Sequence, residues 1–186
     1  MTRKLRKLKA LNQDSIYMTA VYLFSLASKD ERTKIGAIIV GPEGELISTG
    51  YNGFPRGVND DQDSRQERPE KYFWMEHAER NAIYNAARIG VSTKGCTMYT
   101  QGIPCDLGCS RAVIQAGITK VVIHKLWNDG NVEKYVRSYV MFEESGVEVV
   151  EWDGAILTPI GWNDNTPVYM CQNPLNLMLP ENIHDW

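Results

Sequence analysis

The chain has 186 residues, of which 43% are hydrophobic and 23% charged, and its formal net charge at pH 7 is −3. That length and composition describe a globular protein with a sizeable core rather than a disordered chain. The slight acidity argues against a protein that grips nucleic acid by neutralising its phosphates, and no apolar run is long enough to cross a membrane, so neither partner is expected.

Positive charge concentrates only in "MTRKLRKLK", with Arg3, Lys4, Arg6, Lys7 and Lys9. It reads as a solvated arm in preference to an anion-binding one. From about Asp14 to Ala27 the spacing of Ile16, Ala20, Val21, Phe24 and Ala27 predicts a helix with those side chains on one face. "IGAIIVGPEGELISTGYN" reads as two strands joined by a Pro-Gly turn, and the polar stretch from Gly53 to Lys71 as a loop. Helices and strands then alternate: "HAERNAIYNAARIG", "CTMYT", "CSRAVIQAGI", "KVVIH", a helix around "VEKYVRSYVMFEESG", and "VEVVEW". This order implies an α/β fold, a mixed sheet with helices on both faces and right-handed crossovers. Residues 1–156 read as one catalytic domain. Residues 157–186 read as a proline-rich C-terminal extension, with Pro159, Pro167, Pro174 and Pro180, where regular structure is not expected. Its apolar residues imply packing on the body or on a neighbouring subunit.

The chemistry concentrates in two places. "MEHAERNAI" offers His77 and Glu79 at the start of one predicted helix, and "GIPCDLGCSRAV" offers Cys105 and Cys109 at the start of the next. Consecutive crossover helices on one sheet face run side by side, so their N-terminal ends meet at the sheet edge where such folds bind ligands. Helix N-termini favour negative charge and so favour thiolates. One imidazole and two thiolates select zinc over magnesium or calcium, and three protein ligands leave a position for water, as in catalytic sites. Glu79 is then placed to accept a proton from water and pass it to a departing amine. A histidine at a helix start is often a cap, a glutamate in a first turn often serves the helix dipole, and paired cysteines can be core thiols. Their coincidence, with Pro104 directly before Cys105, favours zinc. Cys96 reads as a small buried hydrophobe. Thiols used for metal rather than disulfides indicate a reducing, cytoplasmic setting.

"EHAERNAI", "PCDLGCSRAVIQAGI", "SKDERTKIGAIIV" and "STGYNGFPRG" together resemble the deoxycytidylate (dCMP) deaminases of the cytidine deaminase superfamily, from about Ser28 to Val149. The resemblance implies a three-layer α-β-α fold with a central five-stranded mixed sheet, assembled as a homo-oligomer, often a hexamer. It implies zinc on His77, Cys105 and Cys109, proton transfer by Glu79, a hydrogen bond from Asn52 to the nucleoside, and the backbone of Ala78 facing the pyrimidine carbonyl. Lys29 and Arg32 stand where relatives gather phosphate contacts; a solvated basic loop is the alternative for them. The expected function is hydrolysis of dCMP to dUMP. The alternatives are a modified dCMP, a free base or nucleoside as substrate, or a non-catalytic zinc-containing regulator that binds nucleotides. Relatives also respond to nucleotide effectors with magnesium, through a region resembling "GYNGFPRGVNDD". Val58 replaces a cysteine found in several of them, and Asp60, Asp61 and Asp63 are either magnesium ligands or a solvated acidic loop.

The chain departs from the superfamily signature at one point. Three residues, not two, separate Cys105 from Cys109. Gly108, or a widened first turn like a π-bulge, is expected to absorb the extra residue and keep both sulfurs on one metal. The alternative is that Cys109 swings away and Asp106 or water replaces it.

Overall fold

The computed structural model describes residues 12–105, 108–125, 135–163 and 166–172, with side chains as far as residue 156. The basic arm, Asp106 and the chain beyond residue 172 lie outside the described residues.

Helix α1 (Gln13–Ser25) starts at Asn12, whose side-chain oxygen accepts the Asp14 N–H at 2.9 Å. Its buried face is Met18, Val21, Tyr22 and Ser25, while Ile16, Leu23 and Leu26 face outward. The expected face is borne out in part: Val21 is buried and Ala20 and Phe24 pack against the core, whereas Ile16 and Ala27 are exposed. The helix is apolar around most of its circumference, so spacing alone does not select a side. Contact with the sheet does.

Strands β1 (Gly36–Val40) and β2 (Leu46–Tyr51) form the expected antiparallel hairpin. Its turn closes with Gly41 N–H on Glu45 O at 2.8 Å and with Gly44 at φ +88°, a backbone angle that glycine tolerates. A single 3-10 turn (Asp63–Arg65) and the short α2 (Lys71–Trp74) follow, then α3 (Ala78–Arg88), β3 (Thr97–Thr100), α4 (Cys109–Gln115), β4 (Lys120–His124), α5 (Val136–Ser145) and β5 (Glu148–Trp152). Helices α3 and α5 are followed by Gly90 and Gly146, both at positive φ, as the sequence marks. The sheet order is β2-β1-β3-β4-β5, with β1 antiparallel to both neighbours and β3, β4 and β5 parallel.

Alternation along the strands divides the core. Ala37, Ile39, Met98, Val121 and Ile123 pack against α3, α4 and α5 through Ala78, Ala82, Val113 and Phe142. Ile38, Val40, Tyr99 and Val122 pack on the other face against Met18, Val21 and Tyr22 of α1, with Trp152 and Ile156. The fold is thus the expected α-β-α arrangement with a five-stranded mixed sheet.

The C-terminal expectation is corrected. β6 (Ile156–Asn163) and β7 (Thr166–Gln172) pair as an antiparallel hairpin, and β6 lies against α1. Proline is unfavourable inside a sheet because it has no N–H to donate, but every strand of a two-stranded sheet has a free edge. Pro159 and Pro167 fit there, and the register shifts between Pro159 and Gly161.

His124 ends β4 on the α1 side and is fully buried. Its Nδ1 lies 2.8 Å from the Tyr22 hydroxyl, and its ring lies 5.0 Å from that of Trp152. Burial lowers its pKa, against the opposing pull of the Gly154 carbonyl and the Asp153 charge. An unfolded histidine titrates near about 6.5. As pH falls through that value the unfolded chain takes up a proton that folded His124 resists, so this site withdraws stability until its own lower pKa is passed. Urea unfolding from pH 7.5 to 5 is expected to show a steeper loss for the wild type than for His124→Gln; parallel curves would contradict this.

Candidate active site

Helix α3 is anchored along the edge strand β2. Asn81 Nδ2 donates to Tyr51 O at 2.9 Å, Asn85 Nδ2 donates to Thr49 O at 2.7 Å, and the Ser48 hydroxyl donates to Ala82 O. A Cβ on Gly50 would lie 2.2 Å from Ala78 O, so only glycine admits this approach. These contacts fix the start of α3, where His77 is the N-cap and Glu79 lies in the first turn. Glu76 steadies the entry: its carboxylate accepts the His77 N–H at 2.9 Å and pairs with Arg80, and its backbone pairs with Gly53.

Opposite stand the two cysteines. Cys109 is the first residue of α4, whereas Cys105 lies before the helix. Ser110 N–H donates to Cys105 O at 3.0 Å, five residues back instead of the four of an α-helix, so the chain closes here in a turn one residue wider than a helical one. Gly108 sits inside this turn at φ +150°, and a Cβ there would stand 2.8 Å from Arg80 Nη1. Conformation is what calls for glycine here, since the flexible end of Arg80 can move aside. Ser110 secures the turn further. Its hydroxyl lies 2.8 Å from Pro104 O and 3.0 Å from Cys105 O, and the buried Ser138 of α5 lies 2.8 Å from it. One hydroxyl has one hydrogen to give, so Ser110 serves the carbonyls and Ser138 donates to Ser110.

The three donor atoms converge. His77 Nδ1 lies 3.4 Å from Cys105 Sγ and 3.3 Å from Cys109 Sγ, and all three atoms fall within 4.8 Å of one another. Ligands about 2.0–2.1 Å (nitrogen) and 2.3 Å (sulfur) from one tetrahedral ion stand roughly 3.5 Å apart. The set fits zinc in both spacing and softness, and Cys109 has not swung away. The hydrogen bond from Cys109, and next the one from His77, pull the Cys105 thiol down to about 3, while Cys109, as the donor of that bond, is pushed up. Hydrogen bonding to Cys105 outweighs burial and raises His77. Glu79 is 6% exposed, its Oε2 lies 3.6 Å from Cys109 Sγ, and burial pushes its carboxyl above the usual range.

His77, Ala78, Glu79 and Cys105 form one wall of a cavity of about 210 Å³. Thr100, Gly102, Ile103 and Met75 supply apolar and backbone surface, and Arg68, Lys71, Tyr72 and Tyr135 complete it. Ala78 opens α3, so its N–H belongs to a first turn with no intrahelical acceptor and is available to a ligand. Asn52 also lines the cavity and is buried.

Lys29 and Arg32 are not among the lining residues. Lys29 instead pairs with Asp60 at 2.7 Å, which also engages one of the three carboxylates read as an acidic loop. The residue between them in the sequence matters more: Asp30 is buried and pairs with the buried Lys71 at 2.8 Å. Removing one partner of such a pair costs on the order of 3–5 kcal/mol because the other charge stays buried. The Lys71 and hydrogen-bonded Arg32 and Thr33 backbone contributions overcome burial and leave Asp30 below its ordinary pKa. Sequence reasoning missed Asp30, Arg68, Lys71, Tyr72 and Tyr135. Asp30 carried a faint signal, since Asp followed by Thr33 suits a side-chain-capped turn, and its carboxylate does accept the Arg32 and Thr33 N–H groups. Lys71 carried none.

The cytidine and deoxycytidylate deaminase zinc-binding region matches residues 11–125. Deoxycytidylate deaminase of Pongo abelii is 34% identical over 137 residues, which span 70% of this chain and 74% of that protein. A probable deoxycytidylate deaminase of Drosophila melanogaster is 35% identical over 150 residues, 74% of this chain and 71% of the relative. Among solved structures, dCMP deaminase of the cyanophage S-TIM5 in complex with dCMP and dUMP superposes with a TM-score of 0.62 at 27% identity, covering 78% of this chain and all of that one (100%). The family region spans more than half of the chain and contains both segments that meet at the cavity, so the chain belongs to the cytidine and deoxycytidylate deaminase family of zinc-dependent hydrolases.

Proposed function

We propose that this protein hydrolyses dCMP to dUMP with release of ammonia. The observation that carries the reading is the convergence of His77 Nδ1, Cys105 Sγ and Cys109 Sγ beside a buried Glu79 on the wall of a cavity. The deoxycytidylate deaminases among its relatives, and the cyanophage enzyme that binds dCMP and dUMP, support this substrate. His77, Cys105 and Cys109 hold zinc. When bound, zinc supplies the Lewis acidity that makes water a nucleophile at neutral pH.

Glu79 takes the protons of the attacking water in turn, giving one to the ring nitrogen N3 as oxygen adds at C4 and the other to the amino group that leaves as ammonia. Its burial suits both halves of that task, because a raised pKa brings a carboxylate closer to neutrality. The Ala78 N–H faces the pyrimidine carbonyl, Asn52 bonds the sugar, and Arg68 meets the phosphate at the cavity wall. Lys71 is engaged by Asp30, which leaves Arg68 as the better phosphate partner. Val136, Tyr139 and Val140, exposed together on α5, support assembly with further copies of the chain. The free, buried Cys96, Cys105 and Cys109 support a cytoplasmic setting.

The test is ammonia release by the purified zinc protein supplied with dCMP, deoxycytidine or cytosine. Turnover is expected with dCMP in clear preference to the other two. Equal use of deoxycytidine would favour a nucleoside enzyme, and nucleotide binding without turnover would favour a non-catalytic regulator.

A further inference from the structure

The Asn52 amide is almost fully used within the protein. Its Oδ1 accepts the Ile35 N–H at 2.8 Å. Its Nδ2 donates one hydrogen to Thr33 O at 2.8 Å and the other to Asp30 Oδ2 at 3.1 Å. An amide offers two hydrogens and two lone pairs, so what remains is one lone pair on Oδ1. Asn52 can therefore only accept from a ligand, and the ligand group it meets must donate. A phosphate oxygen or a pyrimidine carbonyl does not qualify. In dCMP the 5′ position carries phosphate and the 2′ position carries hydrogen, so the donor on the sugar is the 3′-hydroxyl.

The Ile35 N–H and the Thr33 carbonyl set that orientation, and the Asp30 carboxylate reinforces it as a third, charged partner. A flipped amide would set its oxygen against the Thr33 carbonyl and the Asp30 carboxylate, and its NH2 group against the Ile35 N–H. Asp30 can oppose the flip only while it is ionised, and it is buried. Lys71 Nζ, 2.8 Å from the same Oδ2 and itself buried, supplies the opposite charge that keeps it so. Without Lys71 a buried carboxyl gains a proton, becomes a donor toward Asn52, and loses its preference for Nδ2.

We propose that Lys71 is a positioning residue for substrate: through Asp30 it helps hold the Asn52 amide in the orientation that presents an acceptor to the 3′-hydroxyl of the nucleotide. The proposal rests on the reading above that Asn52 meets the sugar, and it adds two things: the direction of that hydrogen bond and a residue that reinforces it. Lys71 thus acts on the sugar at one remove, not on the phosphate.

The experiment compares kcat/KM on dCMP with that on 2′,3′-dideoxycytidine 5′-monophosphate, which keeps base and phosphate and lacks the 3′-hydroxyl. The wild type is expected to prefer dCMP by about tenfold or more. Asn52→Ala and Lys71→Met are each expected to bring that ratio toward one, by a loss confined to dCMP. If Lys71 binds phosphate or only supports the fold, Lys71→Met loses equally on both substrates, the ratio stays at the wild-type value, and the proposal is overturned while the reading of Asn52 stands. A wild type that treats the two substrates alike overturns both. Should the unpaired carboxylate unfold Lys71→Met, the double variant Lys71→Met/Asp30→Leu, which buries no charge, is read by the same ratio.

Discussion

Glu79→Gln is expected to lower kcat on dCMP by about 10²–10⁴-fold, the range over which a positioned acid–base group contributes, while KM changes little and zinc stays bound. The substitution keeps length and planarity, so neither the start of α3 nor the packing beneath it is disturbed. It removes the one property the site needs from this residue, a proton that comes and goes. Glu79 is buried and faces Cys109 Sγ at 3.6 Å, so no other carboxylate of the cavity wall stands in its place. Asp30, the other lining carboxylate, is committed to Lys71. Steady-state kinetics with parallel metal analysis checks the expectation: a near-wild-type rate would remove Glu79 from proton transfer, and loss of zinc would make it a structural support of the metal instead.

Cys109→Ala is expected to strip the protein of zinc and to abolish turnover. Among the described residues three side chains make up the ligand set, and a thiolate has no substitute among them. Even residues that only orient metal ligands are worth about 10–100-fold in affinity, so loss of a ligand exceeds that. Dialysis against a chelator followed by metal analysis reads the outcome directly. Full retention of zinc would show that Cys109 is not a ligand, and that the longer spacing had broken the metal set after all. The wide turn argues against that result. The Ser110 N–H to Cys105 O bond spans one residue more than a helical turn, which is the length of the insertion, and Gly108 takes the backbone angle that makes it possible.

The chemistry was legible in the sequence because it is written in residue types at short spacing. A His, a Glu two residues on, and a Pro-Cys pair followed by a second Cys carry their meaning wherever the chain goes. Strand and helix alternation then fixes that two helix N-termini share a sheet edge. The insertion could also be located, since a glycine beside the second cysteine is the residue that accepts a φ of +150°. The buried face of α1 was legible only in part, at Val21, Ala20 and Phe24: its apolar residues surround the helix, and the choice of Met18 and Tyr22 follows from His124 and Trp152 lying opposite. The β6–β7 hairpin was hidden for another reason. Its prolines signal irregular chain, and only a two-stranded sheet with free edges makes them compatible with strands.

By itself, then, the sequence determined the layer order of the fold, the residue types that meet as a metal-binding set and the glutamate proposed for proton transfer, because these depend on local periodicity and on the chemistry of single side chains. The tertiary structure decided which charges reach the cavity. Lys29 and Arg32 point to phosphate by position in the chain, yet Lys29 is held by Asp60, while Asp30, lying between them, turns inward to meet Lys71 from 41 residues away. Pairing across such a separation follows from how the loop after β2 folds back over α1's connection to β1. No periodicity encodes that return, because the low-dielectric interior rewards two opposite charges only once the whole fold has brought them together.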